Sequence, residues 1–81
     1  MKTYKLYAGM TGEFEILNTN APESVVIGYI IAAGNMSLPA DDPEKFFADR
    51  GYSVDFLACQ DDDDLAEEIA VDQEIDVYDY I

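Results

Sequence analysis

The side chains best equipped for chemistry are the four consecutive carboxylates Asp61, Asp62, Asp63 and Asp64, followed closely by Glu67 and Glu68. Calcium and magnesium prefer carboxylate oxygens, so a cation site is the first chemistry to weigh. An EF-hand loop requires alternating acids, a glycine at its sixth position and a glutamate at its twelfth. Counted from Asp61, those positions hold Ala66 and Asp72. On a helix, adjacent aspartates point about 100° apart and do not converge on one ion. The pattern predicts loose cation association, with no dedicated metal site and no cofactor. Covalent catalysis fares worse. The chain has no histidine, which removes Ser–His and Cys–His nucleophile systems. Cys59 is the single cysteine; it reads as a small apolar residue closing a strand, and its acidic surroundings disfavour the thiolate that reactivity needs. A carboxylate pair hydrolyses glycosides only across a substrate cleft, and 81 residues leave little room for one. Gly9 and Gly12 bracket a turn, and no GKS or GKT follows to make a phosphate loop. The expectation is that the protein is not an enzyme.

What remains is charge. From Gly51 to Ile81 there is no Lys or Arg, while acids occur throughout: Asp55, Asp61, Asp62, Asp63, Asp64, Glu67, Glu68, Asp72, Glu74, Asp76 and Asp79. The whole chain carries 18 acids against 4 cations, a formal charge of −14. Such a chain is not expected to bind nucleic acid directly, because that affinity comes from Lys and Arg neutralising phosphates. Nor is it expected on an anionic membrane surface. Its charged partners should be basic, and the field should speed their arrival. The simplest role of an acidic run is a solvated, solubilising surface. Three features argue for more: the charge lies mainly in one half of the chain, that half is patterned for helix and strand, and no cation intervenes. Residues two apart on a strand are roughly 6.8 Å apart, and i, i+4 neighbours on a helix about 6 Å along the axis. Both resemble the few-ångström spacing of charges along a nucleic acid.

These acids need elements to hold them. Apolar residues make up 49% of the chain, too many for a disordered acidic tail, and the length suits one domain covering residues 1–81. Thr3 to Ala8 and Phe14 to Asn18 alternate as two hairpin strands. A three-residue loop Met10-Thr11-Gly12 would pair Ala8 with Phe14 and Leu6 with Ile16, leaving Lys5 and Glu15 diagonal on the outer face. Asn20 to Gly34 reads as a helix capped by Asn20 with Glu23 three residues on, and closed by Gly34 or Asn35. Its stripe is Val25, Val26, Tyr29, Ile30 and Ala33, widened by Ile27 and Ile31. The run Val25–Ile31 also suits a buried strand; the capping residues favour helix. A loop containing Pro39 leads to a short helix, Pro43 to Arg50, capped by Asp42, anchored by Phe46 and Phe47 and stopped by Gly51. Tyr52 to Cys59 follows as a strand with Val54, Phe56 and Ala58 on one face. The acidic run 61–70 reads as a third helix, docked by Leu65 and Ile69, with Asp61, Asp64 and Glu68 on one row. Glu74 to Ile81 is a last strand, at a sheet edge, with Ile75, Val77 and Ile81 inward and Asp72, Glu74, Asp76, Tyr78 and Tyr80 on the other face. The order ββααβαβ predicts an α+β domain: a small, mostly antiparallel sheet with helices packed on one face.

Small size, strong acidity, scarcity of cysteine and a compact α+β pattern together resemble the nucleic-acid-mimicking inhibitors of phages and mobile elements, of the anti-CRISPR and antirestriction type. The resemblance is one of charge character and size. It implies a non-enzymatic inhibitor that occupies the Lys/Arg-lined groove of a host nuclease or CRISPR surveillance complex. A single cysteine, which forms no internal disulfide, and an N-terminus without a hydrophobic signal region carry the expectation that it acts in the host cytoplasm. The positions that fit the place of phosphates are Asp61, Asp62, Asp63, Asp64, Glu67, Glu68, Asp72, Glu74 and Asp76, with Tyr78 and Tyr80 as aromatic anchors beside them. Asp41, Asp42 and Glu44 form a smaller acidic group elsewhere. The alternatives are a generic acidic interaction module, such as an immunity protein for a basic partner, and a domain that responds to divalent cations.

Overall fold

The computed structural model describes residues 1–33 and 43–80. The expected Gly34 or Asn35 cap, the loop with Pro39, the Asp42 cap, Asp41 and Ile81 lie outside them. The fold is α+β, built on a four-stranded sheet. Strands β1 (Lys2–Ala8) and β2 (Glu13–Thr19) form an antiparallel hairpin. Its loop has four residues rather than three: the N–H groups of Thr11 and Gly12 both donate to the Ala8 carbonyl, at 3.2 and 2.9 Å, and Gly12 takes the left-handed φ of 78°. The extra residue shifts the register by one, pairing Ala8 with Glu13, Leu6 with Glu15 and Tyr4 with Leu17. Because side chains alternate, this turns Phe14 and Ile16 away from Leu6 and Ala8 and sends Glu15, Leu17 and Thr19 inward. The expected Ala8–Phe14 and Leu6–Ile16 pairs are therefore not formed. Lys5 sits across from Ile16, its Nζ 4.8 Å from the centre of the Phe14 ring, while Glu15 is fully buried.

After β2 comes α1 (Glu23–Ala33), the helical alternative for the apolar run. Val26, Tyr29 and Ile30 face the core, but Ile31 is 55% exposed and does not widen the buried stripe. The Asn20 cap also fails. The carbonyl of Pro22 takes the first helical bonds, from Val25 and Val26. Asn20 Oδ1 instead accepts the Ser53 N–H at 2.9 Å, and Thr19 Oγ1 donates to the Ser53 carbonyl at 2.6 Å, so the end of β2 is tied to the segment entering β3. Helix α2 (Pro43–Ala48) stops two residues short of Arg50, yet Gly51 ends it as expected. Gly51 has φ 85°, its N–H donates to Ala48 and that of Tyr52 reaches back to Phe47, each at 3.0 Å, the paired bonds of a Schellman motif. Phe46, Phe47 and Tyr29 meet as three rings with centroids 5.5–5.6 Å apart. This knot fixes α1 and α2 over the sheet residues Tyr4, Leu6 and Leu17.

Strand β3 (Val54–Cys59) lies antiparallel to β2, and β4 (Gln73–Asp76) lies parallel to β1, giving the order β3-β2-β1-β4. Two of the three pairings are antiparallel, and β4 is at an edge as expected. A bulge breaks the alternation of β3: Ile16 pairs with Ala58 but Leu17 pairs with Phe56, leaving Leu57 as the extra residue. Val54, Phe56 and Ala58 consequently do not share a face. Val54 and Cys59 turn inward beside Thr19 and Glu15, Ala58 is buried beside Ile16, and Phe56 is 42% exposed. The last strand is shorter than the expected Glu74–Ile81. Ile75 and Val77 do enter the core, but after Asp76 the chain winds into a 3-10 turn, Val77–Asp79, capped by Asp76 accepting the Tyr78 N–H at 3.0 Å.

Candidate functional site

The acidic run begins where β3 ends. Cys59 is extended, at φ −140° and ψ −173°, and acts as the N-cap of a 3-10 turn, Gln60–Asp62. Asp62 folds back on it: one carboxylate oxygen accepts the Cys59 N–H at 3.2 Å and lies 3.6 Å from its Sγ, a capping box with cysteine in the serine position. Gln60 is similarly engaged, its Oε1 accepting the Phe14 N–H at 3.0 Å, so the turn is anchored to both β2 and β3. The chain then passes through a non-helical Asp62, φ −115° and ψ 40°, into the short helix α3 (Asp63–Glu67).

This break changes the alignment of the acids. Asp61 belongs to the 3-10 turn, with three residues per turn, and α3 has only five residues. The expected row of Asp61, Asp64 and Glu68 along one ten-residue helix is not formed. Within α3 the i, i+4 pairs are Asp63 with Glu67 and Asp64 with the C-cap Glu68. Each like-charge pair costs about 0.2–0.5 kcal/mol, offset in part by Asp63 and Asp64 standing in the first turn, where the backbone dipole favours anions. Asp61 to Asp64, Glu67 and Glu68 are all exposed. Asp61, Asp62, Asp63, Asp64 and Leu65 line an open surface concavity of about 360 Å³. Of the two expected docking residues Ile69 is half-buried, whereas Leu65 stays 50% exposed.

Three of the basic side chains lie over aromatic rings. Lys2 Nζ lies 5.3 Å from the Tyr4 ring centre, Lys5 Nζ 4.8 Å from that of Phe14, and the Arg50 guanidinium 3.5 Å from that of Phe46. Arg50 also donates to the Phe46 carbonyl at 2.9 Å, and Lys2 donates to Gln73 Oε1 at 2.9 Å. Three of the four cations thus brace aromatic rings, and Lys5 also stands across from Glu74 in the β1–β4 pairing. The Cys59 thiol stands at the start of the acidic run. A backbone hydrogen bond at Asp61 pulls its pKa down, but burial, the hydrogen bond to Asp62 and the charges of Asp62 and Asp61 outweigh it and hold the thiol above its ordinary value.

The remaining expected site residues lie apart from this group. β3 and β4 occupy opposite edges of the sheet, three strand spacings or roughly 14 Å from one another. The aspartate run follows β3, whereas Glu74 and Asp76 sit on β4. Asp72 serves the sheet itself. Its carboxylate accepts the Thr3 N–H at 2.8 Å and its own N–H donates to the Thr3 carbonyl at 2.9 Å, which starts the β1–β4 pairing. Tyr78 and Tyr80 are 40% and 39% exposed, but they belong to the terminal 3-10 turn and its cap, not to a strand face shared with Glu74. The expected array of nine acids and two tyrosines therefore divides. One group is Asp61–Asp64 with Glu67 and Glu68; the other is Glu74 and Asp76 with the tyrosines near by in sequence. Of the smaller acidic group, Glu44 is exposed in the first turn of α2.

Among the described residues, no three Asp, Glu or Cys side chains are grouped as a metal ion's ligands would be. No helix among them is long and apolar enough to cross a membrane. Comparison with protein-family models, with curated proteins and with solved structures gave no match. Three elements of this region escape sequence reasoning. The Cys59–Asp62 box was signalled only by an acid three residues after a strand end, in a run of acids where every position looks alike. The Asp72 clamp and the buried Glu15–Tyr29 bond, 2.7 Å from Oη to Oε1, join residues far apart in the chain and left no local signal.

Proposed function

We propose that the protein is a non-enzymatic inhibitor that docks the exposed acids of α3 and the preceding 3-10 turn into a basic, nucleic-acid-binding groove of a host defence complex. One observation carries the reading: six carboxylates between Asp61 and Glu68 are exposed on a 3-10 turn and the short helix that follows it, while three of the four cations lie over aromatic rings. A surface of this kind attracts Lys- and Arg-rich walls at long range and takes the place of phosphates there. Apolar contact supplies specificity, since exposed charge acts mainly on association rate; Leu65 is exposed within the same concavity. Because Glu74 and Asp76 stand at the opposite sheet edge, the proposal rests on residues 61–68 and assigns the other acids a lesser share.

The test is capture of partners from cells carrying a CRISPR or restriction complex, followed by competition with duplex DNA. Displacement of the protein by DNA, and weakening of the complex as salt rises through the physiological range, are the results expected. Capture that is indifferent to both DNA and salt overturns the reading. The variant to compare is Asp63→Asn, Asp64→Asn and Glu67→Gln, which removes three charges and spares the Asp62 cap. Unchanged capture by this variant places the contact surface elsewhere.

The division of the acids between two sheet edges favours a second reading, an acidic module for a basic protein that has no nucleic-acid groove, in the manner of an immunity protein. Salt sensitivity is then retained while DNA fails to compete.

A further inference from the structure

We draw no further inference here: the strongest candidate, the exposed apolar side of α1 around Ile31 and Ala32, carries nothing because no feature of the structure shows what covers it.

Discussion

Glu15 is the one carboxylate buried completely among the described residues, and the Tyr29 hydroxyl donates to it at 2.7 Å. Replacing Tyr29 with Phe deletes that donor while leaving a ring to pack on Phe46 and Phe47, each 5.5 Å away. A hydrogen bond to an ionised group contributes about 1.5–3 kcal/mol and a neutral one about 0.5–1.5. In a low-dielectric core a buried acceptor that loses a donor also loses part of the compensation for its desolvation. We therefore expect Tyr29→Phe to destabilise by roughly 2 kcal/mol, a large share of the ~5 kcal/mol typical of a domain this small. The same substitution in a Glu15→Met background removes no hydrogen bond to a carboxylate, and should cost less than about 0.5 kcal/mol. Urea unfolding of the four proteins measures this. With a slope near 1 kcal/mol per molar, the first change moves the midpoint by about 2 M and the second by under about 0.5 M. Equal costs of Tyr29→Phe in the two backgrounds would falsify the claim that the buried pair organises the core, and would assign the effect to ring packing alone.

Asp62→Ala should lower stability by about 1 kcal/mol through loss of the Cys59 cap, whereas Asp63→Ala should leave it unchanged or raise it; a matching loss from both in urea titrations contradicts the capping role. Asp62→Asn should speed reaction of Cys59 with a disulfide reagent at neutral pH, because it removes a charge that holds the thiol above its ordinary pKa; an unchanged rate points to burial as the whole cause. Burial, with Glu23 and Asp72, likewise raises the Tyr4 pKa. Both are acids whose folded pKa exceeds the unfolded one, so their contribution is complete below the unfolded values and is lost as pH climbs through the folded ones. Thermal midpoints should accordingly fall from about pH 9 upward, and a flat profile there is the contrary result. Gly51→Ala forces a side chain into φ 85° and should cost about 1 kcal/mol, with no such loss for Gly9→Ala if the cap is the reason.

Local patterning determined much of this protein. The alternating segments became β1, β2 and β3, the apolar run 25–31 became a helix, Gly51 closed α2, and the order of elements followed the chain. These are matters of short-range sterics and of apolar period, which a sequence displays directly. The charge of −14 and its concentration after Gly51 are likewise properties of composition.

Tertiary structure decided what those patterns left degenerate. The hairpin register turned on one loop residue, and hydrophobic alternation favoured the wrong choice: β2 is covered on both sides, with Ile16 and Leu17 both buried, and a distant tyrosine makes an inward Glu15 tolerable. The same applies to the candidate surface. Which acid caps, which clamps β1 and which stand free is invisible in a run of like residues, because the partners Cys59 and Thr3 are brought in by the sheet. Above all, only the strand order places β3 and β4 at opposite edges, so charges that read as one uninterrupted array along the chain are parted in space. Sequence sets how much negative charge the protein carries; long-range strand pairing sets where it stands, since pairing is chosen by the burial of apolar faces and not by the repulsion of exposed acids.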